Sequence, residues 1–277
     1  MKKKIIVGVI LLAVLMTLGY AYFIEPNLLT VKTIDIKTSK PIKPMKIVFF
    51  TDTHFGKHYE VSRVRKIVDK INDRQPDIIV FGGDLLDNYA RDREDLDITY
   101  LQEELARIKA SVGKYAVRGN HDYGGGSIRV YDDVMSSSGF RVLDNETIPL
   151  EEYGMKLIGY DDYLMGNTDP ASYTIEGDSF HIIIAHEPIA ATFIQSEGDN
   201  FMLSGHTHGG QVYVPFLTEM ILPPGSGEFR KGLYDKEDIG TDVSLRMYNS
   251  SGIGMTLFPI RFLNVPEIVE VNIKKGL

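Results

Sequence analysis

Two histidines stand two residues apart between glycines in the stretch LSGHTHGGQV, residues 203–212. His206 and His208 are two of only seven histidines in the chain. In an extended segment, side chains at alternate positions lie on the same face. Two imidazoles placed in this way can each reach a different metal ion, so the spacing predicts a site for a pair of ions.

Further candidate ligands follow apolar segments that are predicted to be strands. The polar residues at the ends of five such strands are Asp52, His54, Asp84, Asn120, His121, Asp122, His186, His206 and His208. In open α/β sheets, ligands collect outside the carboxyl ends of the strands. Five of the seven histidines, three aspartates and an asparagine are therefore expected at one rim of the sheet.

The order of the segments predicts the fold class. Apolar strands alternate with amphipathic helices, such as the one predicted over VSRVRKIVDKINDRQ, and this alternation is typical of an α/β domain. We expect the domain to span residues 45–277. Residues 25–44 are predicted to be a connector with one strand-like stretch, TVKTIDIKT, and residues 215–242 to be a long irregular loop.

The chemistry of the ligand set restricts the metals. The chain has no cysteine, so only nitrogen and oxygen donors are available. Such a set suits Mn, with Fe or Zn as alternatives, and has too much nitrogen for calcium or magnesium alone. Seven donors are too many for one tetrahedral site but fit two ions that share a carboxylate. Two divalent metal ions about 3.5–4 Å apart can clamp an in-line displacement at phosphorus.

With these motifs the chain resembles the calcineurin-like metallophosphoesterases. The motifs are D-T-H at 52–54, G-G-D at 82–84, G-N-H-D at 119–122, His186, and G-H-T-H at 205–208. The resemblance implies a four-layer α/β/β/α sandwich with a dinuclear centre. G-H-T-H-G-G-Q at 205–211 and FPIRFLNVPEIVEV near the C-terminus are similar to the membrane-associated YkuE-like and YaeI-like subgroup, which is related to UDP-2,3-diacylglucosamine pyrophosphatase.

The resemblance also implies a role for each motif residue. The implied ligands of one ion are Asp52, His54 and His208. The implied ligands of the other ion are Asn120, His186 and His206, and Asp84 is implied to bridge the pair. A hydroxide that bridges the ions would be the nucleophile. His121 would stabilise charge or protonate the leaving oxygen, with Asp122 orienting it.

An uncharged run of twenty residues, 5–24, follows the basic N-terminus MKKK. As a helix rising about 1.5 Å per residue, the run would cross a hydrocarbon core of roughly 30 Å. It is either a transmembrane anchor or a cleaved signal peptide, and its length favours the anchor. The lysines before the run and Glu25 after it favour a single-pass anchor with an extracytoplasmic domain, whereas the lysines at positions 32, 37, 40 and 43 favour the opposite orientation.

The sequence therefore predicts a monomeric, membrane-anchored metallophosphoesterase. Its expected substrate is a small or lipid-linked compound with a phosphodiester or pyrophosphate bond. A nuclease or cyclic-nucleotide phosphodiesterase on the same fold is one alternative, although the net charge of -8 argues against long nucleic acids. A non-catalytic metal-binding membrane scaffold is another, but a purely structural site has no need of His121. Candidate phosphate contacts are Lys57, Arg118, Gln211 and Arg261.

Overall fold

Fourteen strands and seven α-helices form the part of the chain that the structure, a computed structural model, describes: residues 2–168 and 170–276. The strands are β1 (Thr30–Thr38), β2 (Met45–Phe50), β3 (Ile78–Phe81), β4 (Gly113–Ala116), β5 (Arg141–Val142), β6 (Glu146–Leu150), β7 (Met155–Gly159), β8 (Thr174–Ile175), β9 (Phe180–Ile184), β10 (Gln195–Ser196), β11 (Asp199–Ser204), β12 (Gly232–Tyr234), β13 (Leu245–Asn249) and β14 (Glu267–Lys275). The helices are α1 (Lys2–Gly19), α2 (Val64–Asn72), α3 (Tyr89–Asp92), α4 (Ile98–Ala106), α5 (Asn120–Tyr123), α6 (Tyr131–Ser137) and α7 (Lys236–Ile239).

Two six-stranded sheets contain most of these strands. The first sheet has the order β1-β14-β2-β3-β4-β5, and the second has the order β12-β13-β11-β9-β7-β6. Strands β2, β3, β4 and β5 run parallel to one another, as do β7, β9, β11 and β13. The carboxyl ends of several strands in each sheet therefore meet at one rim, which is the arrangement that the sequence predicts.

Alternating side chains of the first sheet supply two separate core layers. In β2, Val48 and Phe50 pack against helices α2, α4 and α6, whereas Ile47 and Phe49 pack between the two sheets. Successive side chains of a strand point to opposite faces, so a continuously apolar strand can be buried on both sides.

The outer face of the second sheet is covered by short helical elements. Ile183 of β9 and Met202 of β11 pack there against Ala190 in the 3-10 turn Pro188–Phe193 and against Ile239 of α7. The predicted α/β/β/α arrangement is confirmed, with a fourth layer made of short turns.

The first and last strands of the domain are neighbours. β1, inside the predicted connector, pairs in parallel with β14 from Thr30–Glu267 to Thr38–Lys275. β14 in turn pairs antiparallel with β2. The strand-like stretch is thus part of the first sheet. The segment 215–242, predicted to be irregular, contains β12 and α7.

The N-terminal helix projects from this domain. Together with a π-helical turn, Tyr20–Ile24, and a 3-10 turn, Glu25–Asn27, α1 forms one apolar helix that is long enough to cross a membrane. None of the residues of α1 is buried. In contrast, Ala21 and Glu25 are buried against the domain.

Candidate metal centre

The candidate site lies where strands of both sheets end. In the first sheet, β2 leads to Asp52 and His54, β3 to Asp84, and β4 to Asn120. In the second sheet, β9 leads to His186 and β11 to His206 and His208. The structure brings the residues of these strand ends together at one rim, with side-chain atoms of several of them close enough to share an ion.

The backbone at this rim is unusual. The φ angles of five candidate ligands are positive: 53° at Asp52, 41° at His54, 60° at Asp84, 69° at His206 and 51° at His208. Side chains with a Cβ rarely adopt this region, and each such residue costs about 1–3 kcal/mol. Such strain persists only where surrounding packing fixes it, and it is concentrated here at the residues that carry the donor atoms.

Glycines allow the close approach of these strand ends. A Cβ on Gly83, which has a φ of 97°, would lie 2.8 Å from Nδ1 of His186. A Cβ on Gly252, which has a φ of 63°, would lie 2.6 Å from Cβ of Asp52. At both positions, glycine is required by the conformation and by the space.

Asp84 lies between two groups of donors. Its Oδ2 atom is 3.3 Å from Nε2 of His54 and 3.2 Å from Nε2 of His186. Its Oδ1 atom accepts the backbone N–H of His121 at 2.8 Å. One carboxylate oxygen therefore faces an imidazole from each sheet, which is the geometry that a ligand shared by two ions requires.

The first group of donors consists of Asp52, His54 and His208. Oδ1 of Asp52 is 3.6 Å from Nε2 of His208, and this nitrogen is 2.9 Å from Nε2 of His54. A cation beside the two nitrogens would satisfy both lone pairs and the carboxylate at the same time.

The second group consists of Asp84, His186 and His206. Nδ1 of His206 is 3.1 Å from Oδ1 of Asn120, so the asparagine joins this group. Asp84, a member of the second group, also lies 3.3 Å from Nε2 of His54 in the first group, and the donor set is entirely nitrogen and oxygen.

Hydrogen bonds to backbone carbonyls set the tautomers of two histidines. Nδ1 of His186 donates to Gly82 O at 2.7 Å, and Nε2 of His206 donates to Pro224 O at 2.7 Å. Because a carbonyl only accepts, the lone pair of each neutral ring lies on its other nitrogen. Nε2 of His186 is buried and has no hydrogen-bond partner. The ring of His206 is therefore prepared to bind a metal. At His186, burial acts to lower the pKa, but the carboxylates of Asp84 and Asp52 outweigh it and raise this pKa, so a cation at Nε2 would take the place of a proton.

The charges of the site also fit cations. Burial lowers the pKa of His206 to about 4, so its ring is neutral near pH 7. Burial also acts to lower the pKa of His54, but hydrogen bonds with Asp84 and Asp87 outweigh it and raise this pKa to about 9. Without a cation, His54 therefore holds a proton beside the Asp84 carboxylate, and a metal ion can take its place.

His121 lies at the edge of the site and is only partly buried. Its ring centroid is 4.6 Å from that of His54. Nδ1 of His121 donates to the backbone carbonyl of Asp87 at 2.8 Å, which leaves Nε2 free to carry a proton. The Asp87 carboxylate lies 3.5 Å from Nδ1 of His54, so Asp87 contacts both rings.

Asp122 makes different contacts from those predicted. Its buried carboxylate accepts the backbone N–H groups of Asp84 at 2.7 Å, Leu85 at 2.9 Å and Gly119 at 2.9 Å. The contact that we expected it to make with the His121 ring is made by Asp87 instead. Asp122 joins the loops that follow β3 and β4.

Two candidate phosphate contacts bind protein groups instead. Arg118 is buried and paired with Asp132 at 2.7 Å and with Asp144 at 2.5 Å. The side chain of Gln211 donates to Thr256 O at 3.0 Å and accepts its N–H at 2.9 Å. Both side chains fix loops around the site.

Arg261 is also committed to the protein. Its guanidinium is fully buried and donates to Gly254 O at 2.7 Å and to Asn264 O at 3.1 Å. It lies 3.5 Å from Nδ1 of His208. Of the four candidates, only Lys57 has an exposed side chain.

Comparison with known proteins agrees with this geometry. The family model for calcineurin-like phosphoesterases matches residues 45–210. The chain is 33% identical to the uncharacterized metallophosphoesterase YkuE of Bacillus subtilis, over 92% of this chain and 89% of that protein. It is 25% identical to the phosphodiesterase YaeI of Escherichia coli, over 92% of each protein. It is also 25% identical to a Danio rerio transmembrane protein with a metallophosphoesterase domain, over 99% of this chain and 63% of that protein.

These matches cover the motifs from which the resemblance was drawn, and they confirm the predicted hydrolase class. The chain belongs to the calcineurin-like phosphoesterase family.

Proposed function

We propose that this protein is a membrane-anchored hydrolase that uses two divalent cations, with manganese as the physiological metal, to cleave phosphodiester or pyrophosphate bonds. The observation that carries the proposal is the Asp84 carboxylate, which has one oxygen within 3.3 Å of an imidazole from each sheet. A carboxylate shared in this way serves two ions, and two ions are suited to displacement at phosphorus.

Each candidate ligand has a role in this proposal. The residues for one ion are Asp52, His54 and His208. The residues for the other ion are Asn120, His186 and His206, with Asp84 shared by both. When bound, the cation pair would activate a water molecule and neutralise the charge of the phosphate.

His121 is the proposed general acid. Its Nδ1 proton is held by the carbonyl of Asp87, so Nε2 can carry a second proton and release it to the leaving oxygen. A positioned acid of this kind contributes about 10²–10⁴-fold to the rate. In this proposal Asp122 acts indirectly, because it holds the backbone of Asp84 in place.

We also propose that the N-terminal helix is a retained anchor and that the domain lies outside the cytoplasm. The backbone N–H of Arg261 donates to Ala21 O at 3.0 Å, and the Glu25 side chain is buried in the domain. Removal of the helix would expose these groups. The lysines at positions 2–4 favour a cytoplasmic N-terminus. A site held near the bilayer suits a lipid-linked or envelope-derived phosphate compound.

The hydrolase proposal can be tested with the full chain in detergent. Metal-free protein loaded with Mn²⁺ should bind two ions per chain and hydrolyse bis-p-nitrophenyl phosphate. Two bound ions without turnover of this diester or of a pyrophosphate would contradict the proposal. Release of nucleotides from single-stranded DNA at a higher rate than either reaction would favour the nuclease alternative.

The anchor proposal has a separate test. A peptide tag fused to the N-terminus should stay attached to the chain and remain with membranes after an alkaline wash. Protease added outside intact cells should digest the domain but not the tag. Loss of the tag from the mature chain would show that the helix is a cleaved signal peptide.

A further inference from the structure

Two segments beside the metal centre expose large apolar side chains, and we name them together the apolar face: residues 214–221 and 257–263. Phe216 is 89% exposed, Met220 81% and Leu257 79%. The other exposed apolar residues of the face are Val214, Leu217, Ile221, Phe258 and Leu263. A surface with this many large apolar side chains in two adjoining loops indicates an interaction site.

The two segments are joined to each other by hydrogen bonds. The backbone N–H of Tyr213 donates to Phe262 O at 2.8 Å, and Val212 and Phe262 form an isolated β-bridge. The side-chain amide of Gln211 donates to Phe258 O at 2.9 Å. The exposed side chains of both segments therefore belong to one continuous region of the surface.

The apolar face is also attached to the end of the N-terminal helix. The N–H of Arg261 donates to Ala21 O at 3.0 Å, and the N–H of Leu263 donates to the Glu25 carboxylate at 2.9 Å. These bonds fix the segment 257–263 at the level of residues 21–25 of the helix.

That level corresponds to the surface of the membrane. The uncharged run ends at Ile24, and tyrosines such as Tyr20 and Tyr22 are typical of the boundary between hydrocarbon and headgroups. The rings of Tyr20 and Phe262 are in edge-to-face contact with centroids 6.5 Å apart. A helix that crosses the bilayer therefore brings the apolar face to the headgroup layer.

The apolar face carries no exposed unpaired charge. Glu219 is the only charged residue of 214–221, and it pairs with Arg230 at 3.6 Å. Arg261 is the only one of 257–263, and it is fully buried. A polar partner protein would find few groups to bind there, whereas a lipid surface requires none.

The metal centre is a direct neighbour of this face. Asn264 donates its side-chain amide to His208 O, and its own backbone N–H is bound by Glu25. Thr256 donates its hydroxyl to the Asp87 carboxylate at 3.1 Å. Thr256 and Asn264, the residues on either side of the segment 257–263, are therefore hydrogen-bonded to Asp87 and His208 of the metal centre.

We propose that the apolar face is embedded in the headgroup layer of the bilayer that the N-terminal helix crosses, and that it holds the metal centre against the membrane surface. This inference rests on the retained anchor of the proposed function. A substrate whose phosphate lies at headgroup level then reaches the metal centre without leaving the membrane.

The absence of cysteine from the chain makes a direct test possible. Single cysteines introduced by Phe216→Cys and Phe258→Cys are labelled with an environment-sensitive fluorophore. Leu233→Cys, at an exposed leucine in β12 outside the face, is the matched control. Leu12→Cys reports on the helix itself. Each labelled full-length chain is placed alone in a phosphatidylcholine nanodisc whose lipids carry the nitroxide at the headgroup for positions 216, 258 and 233, or on the acyl chain for position 12.

Nitroxides near the headgroups should quench the labels at positions 216 and 258 by about twofold or more, because an interfacial segment lies about 5–10 Å into the boundary. The label at position 233 should stay unquenched. Quenching at position 12 without quenching at 216 and 258 would overturn the apolar-face proposal and leave the anchor intact. No quenching at position 12 would overturn both.

Two further outcomes are informative. If the labels are buried only when two chains share a disc, the apolar face binds a second copy of the chain and not lipid, and the proposal is overturned. Hydrolysis of a soluble diester, measured on the same samples, does not depend on lipid contact. Loss of that hydrolysis together with normal quenching would count against the proposed function alone.

Discussion

The metal centre and the apolar face both contain residues with positive φ angles, but the side chains of these residues differ between the two regions. In both regions, residues other than glycine have positive φ angles: 41° at His54 and 60° at Asp84, against 67° at Phe216 and 59° at Leu257. The residues of the metal centre are polar and buried, whereas those of the face are apolar and exposed. In each region, strained residues present a group whose partner is outside the protein: a cation in the proposed centre and lipid at the proposed surface.

The largest effect is expected from Asp84→Asn, which removes the shared negative charge but keeps the size of the side chain. Turnover of bis-p-nitrophenyl phosphate should fall on the order of 10³-fold, equivalent to about 4 kcal/mol. The number of bound Mn²⁺ ions should fall below two per chain. Asp35→Asn, at an exposed aspartate of β1, is the control and should change neither value. Wild-type turnover by the Asp84 variant would show that the shared carboxylate is not required.

His121→Gln should reduce the rate without loss of metal. We expect a decrease of about 10²-fold or more for alkyl phosphodiesters, whose leaving oxygen needs a proton, and a smaller one for p-nitrophenyl esters. The measurement is the dependence of turnover on the leaving group. His58→Gln is the control. An equal decrease for both kinds of ester would contradict a general-acid role.

Asp87→Asn should act mainly on metal binding. The Asp87 carboxylate lies beside Nδ1 of His54, and its removal should weaken Mn²⁺ binding by about 10–100-fold. The backbone carbonyl that orients His121 remains, so turnover at saturating metal should change little. Titration calorimetry with Mn²⁺ and kinetics at saturation separate these effects. Asp95→Asn, at an exposed aspartate of the same loop region, is the control, and unchanged affinity in the Asp87 variant would refute the positioning role.

The smallest effect is expected at the apolar face, where the substitution should raise the stability of the chain instead of lowering its activity or metal affinity. Asparagine tolerates positive φ better than leucine, so Leu257→Asn should stabilise the chain in detergent by about 1 kcal/mol. This corresponds to a rise in Tm of about 2–4 °C for a chain of this size. Leu233→Asn, in the strand β12, should give no such rise. A decrease in Tm at position 257 would mean that the leucine side chain contributes to packing within the protein.

The positions of the candidate ligands were predictable because they depend on topology alone. Asp52, Asp84 and His186 each follow an apolar strand. Parallel strands bring such residues to one rim of the sheet, whatever conformations the connecting loops adopt. The partner of His121 was not predictable. The carbonyl of Asp87 reaches the His121 ring because Asp84 has a positive φ angle, which turns the chain after β3. Nothing in the stretch GGDLLD specifies that conformation.

Long-range partners were also beyond the sequence. TVKTIDIKT was predicted to be a strand, but its parallel pairing with β14 depends on residues at the opposite end of the domain. Arg261 was predicted only as a candidate phosphate contact. Its guanidinium is buried and donates to Ser251 O at 2.9 Å, while the N–H of Leu263 nearby donates to the Glu25 carboxylate, and these contacts follow from the assembled fold.

The place of β14 between β1 and β2 determines when the domain can be completed. A ribosome makes the N-terminal helix first and residues 267–275 only after all other strands. The first sheet therefore lacks the strand that joins β1 to β2 until the end of synthesis, while the helix is already available to enter a bilayer. If the proposed anchor is retained, the chain is tethered before it is folded, and the candidate metal centre is assembled only afterwards.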